Sequence, residues 1–273
     1  MNDSILSKED YEEPICPLCR PRDATPIPVG RVIEKLDEYL NRNDYGAAEK
    51  HLQYWLAEAE AGGDARGRLA VLNEQIGLSR KLGRAAEALC AAEAALEQAE
   101  SLGMGGTVTM GTTLVNAATA YKAFGHAEAA LPLYERAQAI YEESLPPGDA
   151  RLGGLYNNMA LALTDLGNYR KAKALYEKAL GVMAQQPDGA AEQAITWCNL
   201  ADLAAAEQGL EAAEARIGDC LDRAFALLDT PGLPRSGYYA FVCEKCAPTF
   251  GYYGWFAAEQ ELQRRTKEIY ERT

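Results

Sequence analysis

Two cysteine pairs carry the most specific chemistry in this chain. Cys16-Pro-Leu-Cys19 and Cys243-Glu-Lys-Cys246 are both CxxC, and together they match the four-thiolate ligand set of a tetrahedral zinc site. From Cys16 to Cys243 is 227 residues. That separation excludes a compact finger, so only the fold or a second chain could unite the pairs. A redox-active CxxC needs a helix start after a strand, and no strand pattern is evident. Independent thiols are therefore the plainer expectation, with structural zinc on Cys16, Cys19, Cys243 and Cys246 as the alternative. Cys90, Cys198 and Cys220 fall on helical patterns and read as small packed side chains.

Other candidate chemistry is sparse. His51 and His126 are the only histidines, and neither stands in a metal-ligand or nucleophile motif. The glycine-rich stretch Gly103 to Gly111 lacks the lysine and the preceding strand of a phosphate-binding loop, so it reads as a connection with Thr107 or Thr109 capping the next helix. Carboxylates are plentiful but lie on solvated helical faces. No catalytic residue is expected, and the chain does not read as an enzyme.

Composition narrows the partners. Lys plus Arg number 27 against 40 Asp plus Glu, a net charge of −13, and no basic stripe interleaved with aromatics offsets it. Such a field repels phosphate backbones, which argues against nucleic acid. No apolar run approaches the roughly 18 residues of a membrane span, and the first residues do not pattern as a signal peptide. With seven cysteines and no export signal, a cytoplasmic location with reduced thiols is expected.

The elements that position these residues repeat. Asn116, Ala118, Tyr121, Gly125, Ala130, Tyr134 and Ala137 recur 42 positions later as Asn158, Ala160, Leu163, Gly167, Ala172, Tyr176 and Ala179. Six of the seven pairs are identical, which fixes the register. Small residues stand where two helices approach, and glycine stands just past a helix end, where a left-handed backbone costs little. Each copy is helix, turn, helix, and each buries its apolar stripe only against its neighbours.

The run from Asn157 to Leu180, NNMALALTDLGNYRKAKALYEKAL, resembles the tetratricopeptide repeat, and the 42-residue period is most similar to its kinesin light chain subtype. The resemblance implies an all-α, right-handed α-solenoid of about six helix pairs. The chain divides into an acidic, proline-rich extension with CxxC (1–30), five helix pairs (31–228), and a degenerate, aromatic-rich capping pair with CxxC (229–273). In the cap, Gly251 keeps the 42-residue spacing from Gly209, and Pro248 is expected to end or kink the first helix.

In that family the first helix of each pair lines the concave groove, and asparagines there hold an extended peptide backbone. The carboxamide suits this because it offers both donor and acceptor. The resemblance places Asn73, Asn116, Asn157, Asn158 and Asn199 at or near such positions, with Arg80, Thr119, Lys122, Leu161, Asp165 and Asp202 as modulators. The competing expectation is that these asparagines only bond backbone between repeats. The expected function is a scaffold binding protein or peptide. The alternative is a self-associating or zinc-stabilised protein whose groove or cap is covered by its own segment Pro14 to Gly30. A cluster of eight aromatics between Tyr238 and Phe256 reads as a surface that needs covering, including by a second copy.

Overall fold

Ala88, Ala95, Ala130, Ala137, Ala172 and Ala179 are all fully buried. The alanines of the repeat pattern thus sit where helices approach most closely, and a larger side chain at any of them would push two helices apart. Around them a computed structural model of the chain describes residues 24–272. Among these residues there are only helices and their connections.

Cα packing separates the described residues into two units, 24–145 and 146–272. The first holds α1 (Val29–Asn41), α2 (Tyr45–Ala61), α3 (Ala65–Lys81), α4 (Ala85–Ser101), α5 (Val108–Ala123) and α6 (Ala127–Ser144). The second holds α7 (Ala150–Asp165), α8 (Tyr169–Met183), α9 (Gly189–Gln208), α10 (Leu210–Leu228), α11 (Gly237–Tyr252) and α12 (Phe256–Tyr270). Each unit is three helix pairs. Within a unit, partners in a pair pack together, and the first helix of one pair also packs on the first helix of the next.

One turn geometry closes the pairs. Gly83, Gly125, Gly167 and Gly209, spaced by 42, all have positive φ between 70° and 83°. In three of these turns the residue after the glycine donates its N–H back across the helix end: Arg84 to the Ser79 carbonyl, His126 to Tyr121 and Asn168 to Leu163, at 2.8–2.9 Å. That bond satisfies a carbonyl the helix itself leaves open. Asn43, at φ 54°, supplies the same conformation in the first pair.

The last pair departs from the sequence expectation. Its turn glycine is Gly254, at φ 81°, and Trp255 donates to the Phe250 carbonyl at 2.8 Å. Gly251, which keeps the 42-residue spacing, lies inside α11. Pro248 neither ends nor breaks that helix. The carbonyl that loses its partner to the proline belongs to Glu244, on the exposed side, where water can replace the missing N–H. Similarly, Gly111 is not part of the inter-repeat connection. It is buried within α5, and a Cβ there would lie 2.5 Å from the Tyr141 ring.

At the start of the described chain, residues 24–28 dock on the α2–α3 connection. Thr25 donates to the Gly62 carbonyl at 2.8 Å, and Asp64 accepts from the N–H of both Ile27 and Gly67 at 2.8 and 2.9 Å. One carboxylate thus caps α3 and anchors the entering segment. The remainder of the 1–30 extension, with Cys16 and Cys19, lies outside the described residues. So does most of the Pro14–Gly30 segment. Among the described residues no helix is long and apolar enough to cross a membrane.

Candidate functional site

The asparagines singled out from the sequence are brought together in pairs, one pair in each unit. In the first unit Asn116 Nδ2 donates to Asn73 Oδ1 at 3.0 Å, while Asn73 Nδ2 donates to Thr113 Oγ1 and to the Leu69 carbonyl. Asn73 is 1% and Asn116 8% exposed. In the second unit Asn199 Nδ2 donates to Asn157 Oδ1 at 3.0 Å, and Thr196 Oγ1 donates to the same oxygen at 3.2 Å. Each ladder joins the first helices of adjacent pairs. The two ladders use equivalent residues, an Asn on one helix facing an Asn and a Thr three residues before it on the next.

The ladders differ in access. Asn73 and Asn116 are buried, whereas Asn157 and Asn199 are half-buried. Asn158 is half-buried beside the second ladder, not in it. In the first unit Thr119 shares a 3.0 Å hydrogen bond with the buried Tyr134 phenol, whose ionisation burial opposes. Arg80 lies near enough to act electrostatically on that phenol, and Lys122 is half-buried in the last turn of α5. This side of the first unit is closed over its two asparagines, while Arg80, Thr119 and Lys122 stay half-buried.

In the second unit the corresponding side is open. The accessible positions include Asn157, Asn158, Leu161 and Asp165 on α7, Glu192, Ile195, Asn199 and Asp202 on α9, and Tyr238, Phe241 and Lys245 on α11. The spacing of three or four residues puts each set on one helix face. The Asn157–Asn199 bond ties the first two faces together. Tyr253, just past the end of α11, ties the third by donating to Asp202 at 2.9 Å. Burial, with the nearby Asp202 charge, raises the Tyr253 pKa. Lys245 Nζ lies 5.2 Å from the centre of the Phe241 ring, and Tyr238 and Phe241 stand with ring centres 6.1 Å apart. The face therefore runs from amide and carboxylate groups on α7 and α9 to aromatic groups on α11. Burial also pushes the Glu192 carboxyl up to about 7.

The aromatic-rich segment is more closed than the sequence implies, which corrects the expectation of an open aromatic surface. Tyr239 and Phe250 are buried, and Phe250 meets Phe225 and Trp255 edge-on at 5.9 and 6.1 Å. Tyr238, Phe241, Tyr253 and Trp255 are half-buried. Only Tyr252 and Phe256 of the eight are exposed, at 72% and 61%. The reason is that α11 packs on α9 on one side and on α12 on the other.

Cys243 and Cys246 are buried in α11 at 0% and 1% exposure. Burial pushes the Cys243 thiol up to about 12, and a hydrogen bond to Cys198 together with burial raises Cys246. Thiols must ionise to ligate zinc, so both environments oppose that role. Among the described residues no group of three His, Cys, Asp or Glu side chains is arranged to hold a metal ion. Cys198 and Cys220 are buried as expected, but Cys90 is exposed on α4.

Sequence reasoning missed Thr113 and Thr196 as ladder members, and Tyr253 as the partner of Asp202. Thr113 and Thr196 do carry a signal, since each stands three residues before a pattern asparagine. Tyr253 carries none, because its contact spans 51 residues.

The tetratricopeptide repeat sequence pattern matches residues 67–143 and 153–183. No curated protein sequence matches the chain. Among solved structures, the nearly identical TPR-like repeats of a Podosopora anserina kinesin light chain superpose with a TM-score of 0.50 at 19% identity, covering 74% of this chain and 94% of that one. A substituted form of the same repeats gives 0.51 at the same identity and coverage. A Rap protein complexed with Competence and Sporulation Factor gives 0.50 at 14% identity, covering 87% of this chain and 73% of that one. At these identities the likeness is one of fold.

Proposed function

We propose, from the premise that this chain is a tetratricopeptide repeat protein with kinesin light chain-like repeats, that it is an interaction protein holding an extended partner segment on the first-helix face of its second unit. The observation that supports this most is the accessible stripe on α7, α9 and α11, in contrast to the first unit, where the ladder asparagines are buried. That a similarly folded Rap protein is crystallised with Competence and Sporulation Factor agrees with a binding role for the fold.

The face specifies a partner chemistry. Asp165 and Asp202 supply carboxylates, Glu192 joins them as pH rises through 7, and Lys245 is the one cation among the named face residues. Leu161, Ile195, Tyr238 and Phe241 supply apolar contact. An extended segment combining Lys or Arg with aliphatic side chains fits this best, its backbone amides meeting Asn158 and the ladder carboxamides. Exposed charge pairs add little affinity individually but set specificity and on-rate.

Selection of a random displayed peptide library on the purified full chain tests the proposal. Enriched peptides should carry basic and aliphatic residues. Leu161→Arg and Asp165→Lys should each weaken a selected peptide about tenfold, with helix content unchanged. Selected peptides that bind both variants as tightly as the wild type would overturn the assignment to this face.

A further inference from the structure

A cavity of about 210 Å³ lies in the second unit, built from α8, α9 and α10. Because α9 packs on both α8 and α10, those two helices form its walls and α9 its floor. The deeper lining is apolar: Leu180 from α8, Trp197 and Leu200 from α9, and Cys220 from α10. Leu200 and Cys220 are buried, whereas Leu180 and Trp197 are half-buried. Charged side chains form the rim, Lys173 and Glu177 on α8 and Arg216, Asp219 and Arg223 on α10. Their spacing of three, four or seven residues keeps each set on one helix face.

The rim charges differ in what already holds them. Arg216 is engaged by Glu207 at 3.0 Å. The Arg223 guanidinium lies over the Trp197 ring, 4.6 Å from its centre, and stacking of this kind fixes the guanidinium plane while leaving its N–H edge to donate. Setting Arg216 aside, the rim carries Lys173 and Glu177 on one wall and Arg223 and Asp219 on the other, one charge of each sign on either wall. A purely anionic or purely cationic ligand meets a like charge on both walls, whereas a molecule bearing both signs is matched on both. In a chain with a net charge of −13, this local balance selects for a zwitterion.

We propose that this cavity binds a free α-amino acid with an apolar side chain. Its carboxylate accepts from Arg223 and Lys173, its ammonium donates to Asp219 or Glu177, and its side chain covers Leu180, Trp197 and Leu200. The volume is below the roughly 300–1,000 Å³ of a drug-sized site and suits a molecule of about ten non-hydrogen atoms. The division of the lining matches the division of the ligand. The apolar part is the part withdrawn from water, while both charges stay at the rim, where they keep hydration and opposite partners. The Cys220 sulfur adds a polarizable contact that tolerates either an aliphatic or an aromatic side chain. None of the residues assigned to the peptide face lines this cavity, so the two sites stand independently.

The test is a ligand-observed NMR titration of the purified full chain with L-leucine and L-phenylalanine. Each is compared with the analogue lacking the ammonium, 4-methylpentanoate or 3-phenylpropanoate, and with the analogue lacking the carboxylate, 3-methylbutylamine or phenethylamine. At least one amino acid should bind about tenfold or more tightly than both of its analogues. The double variants Lys173→Gln/Arg223→Gln and Glu177→Gln/Asp219→Asn should each weaken it about tenfold or more. All four positions are exposed, so helix content and melting should stay as in the wild type. Absence of binding by both amino acids up to about 10 mM would overturn the proposal. So would analogues that bind as tightly as their parents, or full affinity in both double variants.

Discussion

At the residue scale, the ladders convert a polar side chain from a recognition group into a joint between repeats. Asn157 Oδ1 accepts from both Asn199 and Thr196, so removing Asn199 leaves a half-buried oxygen with one donor in place of two. Asn199→Ala should cost about 1–2 kcal/mol of stability, measured by urea unfolding, while Asn158→Ala should stay within about 0.5 kcal/mol. Equal costs would show that the ladder contributes nothing special. The 42-residue pattern put Asn116 and Asn158 in register and Asn157 one position earlier, whereas the ladder of the second unit uses Asn157. Both fit a helix face broadly, and the choice depends on the rotation of α7 against α9.

Glu192 gives the pH prediction at the same scale. Its folded-state carboxyl titrates at about 7 because burial opposes its charge, above the ordinary 4.5 it regains on unfolding. The folded chain therefore holds the proton more tightly, and this contribution is fully favourable below pH 4.5 and lost as pH rises through 7. The side chain is only half-buried by surface exposure, so the effect is discounted to about 1 kcal/mol. Glu192→Gln should be more stable than wild type at about pH 8 and close to it at about pH 5, by thermal melts at both. An identical pH dependence in the two proteins would remove Glu192 as the cause.

At the element scale, the 42-residue period also holds a packing relation that the loop reading of Gly103 to Gly111 concealed. Gly111 packs on Tyr141 and Gly153 packs on Met183, in both cases with 2.5 Å between the absent Cβ and the neighbour. The tyrosine ring is rigid and fully buried, whereas the thioether can swing aside. Gly111→Ala should therefore cost about 1–3 kcal/mol and Gly153→Ala about 1 kcal/mol or less, read from urea midpoints. The reverse order would refute the steric account. The turn glycines were legible because positive φ selects glycine locally. Gly111 was not, since its reason is a contact 30 residues away. The same distinction explains Gly254, where the turn of the cap leaves the period that Gly251 keeps in sequence alone.

At the scale of the whole molecule, the net charge of −13 is the dominant long-range term. The ion pairs given by the structure are partly or wholly exposed on at least one side, and such pairs contribute about 0–1 kcal/mol each. Screening should therefore relieve more repulsion than it removes attraction. Raising NaCl from about 10 to about 150 mM should raise Tm by a few degrees, and a fall in Tm by calorimetry would show that the ion pairs win. The sequence by itself determined the helix pairs, their turns, their buried alanines and the sign of the molecular field, because these depend on local backbone preference, periodicity and composition. Only the tertiary structure decided which unit keeps an open polar face, that both cysteines of the α11 motif are buried, and that most of the terminal aromatics are covered. Each of those depends on how one helix is rotated against a neighbour far along the chain, and neither spacing nor composition encodes that rotation.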